Sequence, residues 1–323
     1  MAANGIDMAR DRRDDTAAFR HEALLYEDGL DFLDGTVPFL REGIERGEAT
    51  MVAVGEEKER MLREEIGGAG AEEIAFVDME RLGRNPARII PAWRDFVGDH
   101  GGADRPLRGI GEPAWAGRSE NEYAECDRHE SLLNLAFGET TGFWLLCPYD
   151  IGALDDDVLD AARRDHPVVA QGGARRHSDD YVDPAEASPF SGALEEFTGE
   201  VASLGFGAGD LRALRAFVAA QCDQAGLDRW RHRDLVLAAD ELATNSIRHG
   251  GGGGILRLWR EPEAVVCEVR DRGTITEPLV GRARPDANQA AGRGLWIVNE
   301  VCDLVQIRAL AGGNVVRVRM SFG

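Results

Sequence analysis

Glu241 and Asn245 stand four positions apart in the segment Asp240–Gly250 (DELATNSIRHG), at the end of a stretch whose apolar residues recur at helical spacing. Residues at i and i+4 share one helical face, so a carboxylate and an amide oxygen can serve one small polar site. A solvated helix face carries the same pattern, and the pair alone does not decide between the two. Two later segments follow in chain order. Val269–Gly273 (VRDRG) ends an apolar run with Asp271 and then Gly273, where the backbone can turn sharply. Asp271 there is an acceptor suited to an exocyclic amine. Gly292–Val298 (GRGLWIV) sets Gly292 and Gly294 about Arg293 at the start of an apolar helix. Backbone N–H groups unscreened by side chains hold phosphate oxygens at such a place.

The elements that must position these residues are legible around them. Apolar spacing predicts helices over Asp210–Ala225 and Arg231–His249, then strands Ile255–Arg260 and Ala264–Arg270. An irregular stretch, Gly273–Gly292, leads into the short helix, and strands Leu304–Leu310 and Asn314–Phe322 close the chain across Gly312–Gly313. This is a helix-plus-antiparallel-sheet sandwich. The first half reads differently. Strand-like runs Ala49–Val54, Glu73–Asp78, Leu107–Glu112 and Phe143–Asp150 alternate with helix-period stretches Gly29–Arg46, Glu57–Ile66, Asn85–Val97 and Glu120–Phe137. Such alternation predicts an α/β domain with a parallel sheet covered on both faces. Gln171–Pro189 is polar, rich in small residues and without apolar period, which reads as a linker. The expected division is a disordered tail 1–18, a first domain 19–170, a linker 171–206 and a second domain 207–323.

A length of 323 residues suits two such cores. The net charge of -21 argues against binding a nucleic-acid backbone, which needs Lys and Arg to neutralise phosphates. It fits protein partners with basic patches, or solubility. No apolar run approaches the roughly 18 residues of a membrane span, and the opening residues do not form a secretory signal, so a cytoplasmic location is expected. Five scattered cysteines without a C-x-x-C pair read as reduced thiols rather than a disulfide framework or a zinc knuckle.

Taken together, ELATNSIRHG, VRDRG and GRGLWIV resemble the N box and the two glycine boxes of the GHKL ATPase superfamily, over about Gly207–Gly323. The short connection between the glycine boxes resembles the anti-sigma-factor serine kinase branch. The resemblance implies a Bergerat α/β sandwich binding ATP and Mg²⁺. It implies Glu241 as general base toward an attacking hydroxyl, Asn245 as magnesium ligand, and Asp271 as acceptor from the adenine amine, with Gly273 giving the ring room. Gly292 and Gly294 would contact phosphate at the base of the lid, and Arg293 is either a phosphate contact or partner-facing. Asn314 replaces a threonine found near the nucleotide in many relatives and still offers a hydrogen bond. The implied chemistry is transfer of the γ-phosphoryl group to a serine on an antagonist protein. A sigma factor and that antagonist are the implied partners, without direct nucleic acid or membrane, and a homodimer is compatible with it. The alternatives are an ATP-dependent interaction module without kinase activity and a sensor histidine kinase relay. Arg128-His129-Glu130 has the histidine–acid order of a phosphoacceptor box, but a strand and a linker separate it from the ATP-binding part.

In the first domain, the strand ending at Val54-Gly55 runs into Glu56-Glu57-Lys58-Glu59-Arg60, without the second glycine and Lys-Ser/Thr pair of a Walker loop. His21-Glu22-Ala23-Leu24-Leu25-Tyr26, Gly111-Glu112-Pro113-Ala114-Trp115 and Cys147-Pro148-Tyr149-Asp150 resemble the MEDS sensory domain, a RecA/KaiC-like module lacking that loop. Ligands of parallel sheets gather outside the carboxyl ends of strands. Glu112, Trp115, Tyr149 and Asp150 are expected at such ends and, with His21, make up a candidate sensory pocket. Cys126 and His129 have C-x-x-H spacing, which His21 and Cys147 would have to complete to hold a metal. A buried thiol and a polar helix histidine are the preferred reading.

Overall fold

The computed structural model describes residues 19–101, 105–140, 142–184, 190–285 and 292–322; the expected tail, 1–18, lies outside them. The chain divides into two compact units, residues 1–82 with 92–187, and residues 83–91 with 188–323.

The first unit runs β1 (Arg20–Tyr26), α1 (Gly29–Glu45), β2 (Ala49–Val54), α2 (Glu56–Ile66), α3 (Gly68–Glu72), β3 (Ile74–Asp78) and α4 (Met79–Leu82). It continues with α5 (Ile89–His100), β4 (Leu107–Gly111), α6 (Glu120–Phe137), β5 (Phe143–Asp150), α7 (Asp156–Asp165), β6 (Val168–Gln171) and β7 (Ala174–His177). Its sheet has the order β3-β2-β4-β5-β1-β6-β7, parallel apart from the β6–β7 hairpin. This is the RecA/KaiC-like parallel-sheet architecture without a Walker loop. Lys58, where that loop's basic residue would be sought, is committed to an ion pair with Glu112.

β1 is a central strand that apolar patterning did not mark, because His21 and Glu22 interrupt its run although both are buried. Burying such groups costs free energy unless they are bonded. Glu22 accepts from Arg20 Nη2 and Arg175 Nε, each at 2.9 Å. Arg175 lies on β7, within the stretch expected as linker. That strand is exposed along its whole length and shows no apolar alternation, so composition concealed it. Its pairing with β6 extends the first sheet to His177.

The second unit contains β8 (Ala202–Gly207), α8 (Leu211–Ala225), α9 (Arg229–His249), β9 (Gly253–Arg260), β10 (Ala264–Asp271), α10 (Arg293–Val301), β11 (Leu304–Leu310) and β12 (Gly313–Ser321). Its antiparallel sheet has the order β11-β12-β10-β9-β8. β8, a half-buried edge strand, also fell within the expected linker. The helices cover one face of this sheet in the α/β sandwich of GHKL domains. α9 buries Leu235, Ala238, Ala239, Leu242, Ala243 and Ser246, one continuous helical stripe of small and apolar residues. Its first turn is capped by Asp228, which accepts from the amides of Trp230 and Arg231. Residues 83–91, which include the first three residues of α5, are counted with this unit. Arg88 donates to the carbonyls of Asn299, Glu300 and Cys302, occupying acceptors that the end of α10 leaves without helical partners.

Candidate nucleotide-binding site

Glu241 and Asn245 flank the buried stripe of α9 and are themselves half-buried. Facing them is the first turn of α10. Gly292, at φ 87, caps that helix without a side-chain bond. Left-handed backbone of this kind favours glycine. A Cβ on Gly294 would fall 2.9 Å from both Asn245 Nδ2 and Glu241 Oε2, so these groups pack directly on its backbone. The two segments that spacing picked out separately are therefore in contact.

Asp271, at the end of β10, is held from three sides. Its Oδ2 accepts from Ser246 Oγ at 2.6 Å. Its Oδ1 accepts from the Gly273 amide at 2.8 Å and from Asn314 Nδ2 at 3.4 Å. Asn314, the register partner of Asp271 on β12, accepts from the Ile275 amide through Oδ1 at 3.1 Å. Its side chain thus fixes Asp271 and the strand exit. Ser246 was part of the quoted motif but carried no assignment. Its signal was a hydroxyl on the buried stripe of α9, where an unpaired polar group is costly.

Asn245, Ser246, Asp271, Gly292, Gly294 and Asn314 line a cavity of about 350 Å³, closed on its apolar side by Leu242, Val269, Ile275, Leu295 and Val316. Glu241 sits at its margin against Gly294, and Arg293 is exposed on the first turn of α10. An apolar slot with one oriented carboxylate suits a flat heteroaromatic ring bearing an amine. A carboxamide oxygen beside a bare helix N-terminus suits a magnesium-bound polyphosphate. These residues fit ATP with Mg²⁺. Residues 286–291 of the irregular stretch lie outside the described residues.

The five residues expected to form a sensory pocket are not drawn to one place. Glu112 and Asp150 occupy the carboxyl ends of neighbouring strands, with Glu112 accepting from Tyr26 Oη at 2.8 Å and from Lys58. Burial pushes the Glu112 carboxyl up, against the opposing pull of Lys58. Asp150 Oδ1 accepts from the Gly152 amide at 2.9 Å. Trp115 stacks under the Arg118 guanidinium at 3.5 Å. Tyr149 lines a separate cavity of about 390 Å³ with Tyr123, Asp127, Asp155 and Asp165. His21 is at the opposite end of β1 from Tyr26, about 16 Å away along an extended strand.

His21 instead meets Glu130, Cys147 and His166, whose ligand-type atoms lie within 4.8 Å of one another. Cys126 and His129, the C-x-x-H pair, are not in that group. Cys126 Sγ donates to the Pro113 carbonyl at 3.2 Å, and burial pushes its thiol up to about 12. His129 is 1 % exposed, which removes it from reach of an incoming phosphoryl donor.

Comparison with known families agrees with these two folds. Residues 20–167 match the MEDS family, described as the MEthanogen/methylotroph, DcmR Sensory domain. Residues 207–320 match the Histidine kinase-like ATPase domain. No curated protein matches the chain. A structure of the RsbU and RsbW domains of a Mycobacterium tuberculosis protein is similar at 18% identity and a TM-score of 0.30. That similarity covers 38% of this chain and 32% of that one. The Acinetobacter baumannii histidine kinase AdeS is similar at 18% identity and TM-score 0.23, over 38% of this chain and 69% of that one.

Proposed function

From a chain that joins a MEDS sensory domain to a histidine kinase-like ATPase domain, we propose an anti-sigma regulatory factor that binds ATP with Mg²⁺ and phosphorylates a serine of an antagonist protein. The sensory domain sets the state of the ATPase domain, and a sigma factor is the second partner. The site of action is the cytoplasm. Among the described residues, no helix is long and apolar enough to cross a membrane.

The observation that carries the reading is the packing of Glu241 and Asn245 on the backbone of Gly294. It puts a carboxylate and a carboxamide beside the amides of the first turn of α10. In this assignment Asp271, oriented by Ser246, Gly273 and Asn314, accepts from the adenine amine. Asn245 would ligate Mg²⁺, and the amides at the first turn of α10, about Gly292 and Gly294, would donate to phosphate oxygens. Glu241 accepts the proton of the serine hydroxyl as it attacks. Phosphoryl transfer needs mostly positioning and charge neutralisation, which these groups supply.

Incubation of the full chain with γ-labelled ATP and candidate antagonists tests the assignment. Acid-stable label on a partner serine is the expected result. Acid-labile label on this chain would indicate a histidine relay instead. Tight ATP binding without any transfer would reduce the protein to a nucleotide-dependent interaction module.

A further inference from the structure

The side chains of His21, Glu130, Cys147 and His166 converge from four elements of the first unit. β1 and β5 are neighbouring parallel strands in which His21 is opposite Leu145 and Ala23 opposite Cys147. His21 and Cys147 therefore share one face, one pleat apart. α6 lowers Glu130 onto that face, and the chain leaving α7 supplies His166. All four are at most 2 % exposed.

Hydrogen bonds at the rear of both rings fix their tautomers. Asn134 Nδ2 donates to the Asp165 carbonyl at 2.7 Å, which turns Asn134 Oδ1 toward His21 Nδ1 at 3.0 Å. An amide oxygen only accepts, so His21 Nδ1 carries the hydrogen. His166 Nδ1 faces the Ala162 carbonyl at 2.7 Å and must donate as well. A ring whose hydrogen sits on Nδ1 has the lone pair of Nε2 directed inward. His21 Nε2 is 3.0 Å from Glu130 Oε2 and 3.4 Å from Cys147 Sγ. His166 Nε2 is 3.3 Å from the same Glu130 oxygen. Among the described residues, His166 Nε2 and Glu130 Oε1 have no hydrogen-bond partner.

Four electron-pair donors thus point at one dry spot. The Cys147 thiol hydrogen and a proton shared between a ring and Glu130 would each satisfy one of these contacts, not all of them together. A cation satisfies all four.

We propose that the first unit holds a buried divalent transition-metal ion, of the zinc class, ligated by His21 Nε2, His166 Nε2, Cys147 Sγ and Glu130. A tetrahedral zinc with bonds of about 2.0–2.3 Å has ligand–ligand edges of about 3.3–3.8 Å. Three of the six separations, 3.0, 3.3 and 3.4 Å, are near these edges, and every other pair lies within 4.8 Å, so the set closes on a tetrahedron by an inward shift of the wider pairs. Binding releases the Cys147 thiol proton to solvent. One thiolate and one carboxylate then balance the ion's two charges, leaving a neutral centre suited to a dry interior. Asn134 and the Ala162 carbonyl are the outer groups that orient imidazole ligands. Four protein ligands close the shell, the pattern of a structural rather than a hydrolytic centre.

The test uses the full-length protein, its metal content measured as purified and then stripped by chelator. Titration with Co²⁺ should load about one ion per chain, with a thiolate-to-cobalt charge-transfer band and the strong visible bands of tetrahedral cobalt. Zn²⁺ should erase both. Cys147→Ser should lose the charge-transfer band, whereas Cys126→Ser, altering another buried thiol, should keep it. Folded wild-type protein that takes up neither ion, or a charge-transfer band surviving in Cys147→Ser, overturns the assignment. Should Cys147→Ser not fold, the presence or absence of the wild-type band decides.

Discussion

The candidate nucleotide pocket and the His21–Glu130–Cys147–His166 cluster use similar polar groups in opposite settings. Around the pocket, Glu241 and Asn245 are half-buried and Gly292 and Arg293 are exposed, so a ligand can come and go. In the cluster every donor atom is sealed in the core. The first arrangement suits an exchangeable ligand, and the second suits a resident ion. Their supports differ accordingly. Asp271 is steadied by a hydroxyl, an amide N–H and a carboxamide at the pocket's own edge. The two imidazoles of the cluster are steered from behind, by Asn134 and by the Ala162 carbonyl.

Substitutions that separate exchange from residence sharpen this contrast. Glu241→Gln should lower phosphoryl transfer by about 10²–10⁴-fold while Mg-ATP affinity stays unchanged. Single-turnover assays beside calorimetric titration would show it, and equal loss of both would make Glu241 a binding residue. Asp271→Asn should weaken Mg-ATP by roughly 10–150-fold, the worth of a hydrogen bond to a charged group. It should leave cobalt uptake by the first unit untouched, and a change there would break the separation of the two sites. Asn134→Leu should weaken Co²⁺ binding by about 10–100-fold, judged by competition with a chelator, without altering ATP affinity. Ser246→Ala should have the smallest effect. Loss of its bond to Asp271 should weaken ATP about fivefold, near 1 kcal/mol, with a matching fall in thermal stability.

The two sites were unequally legible for the same structural reason. Glu241, Asn245 and Ser246 lie within one helical turn and a half, and Asp271 and Gly294 each sit in a short run with its own turn chemistry. Local spacing therefore picked out most of the polar residues that line or border the cavity. Ser246 escaped because a hydroxyl on a buried stripe announces a partner without identifying it. The metal cluster takes one residue from each of four elements, and no spacing connects them. α6 did hold a hint, since its buried stripe includes Glu125, Cys126, His129 and Glu130 among Leu132, Leu133 and Phe137. Sequence drew attention to Cys126 and His129, neighbours on that stripe, whereas the α6 side chain that reaches His21 is Glu130. β1 itself was hidden because its polar residues belong to the core.

The sequence by itself determined the order of the two family matches and the parallel and antiparallel characters of the two sheets, and it picked out motif residues that the fold gathers around one cavity. Those properties follow from apolar period and from contacts between residues close in the chain. Tertiary structure alone decided that β1 is central, that Asn314 serves Asp271, and that His21 joins Cys147 rather than Glu112. Each depends on strand register, which brings together side chains tens of residues apart and leaves no periodic trace in either partner.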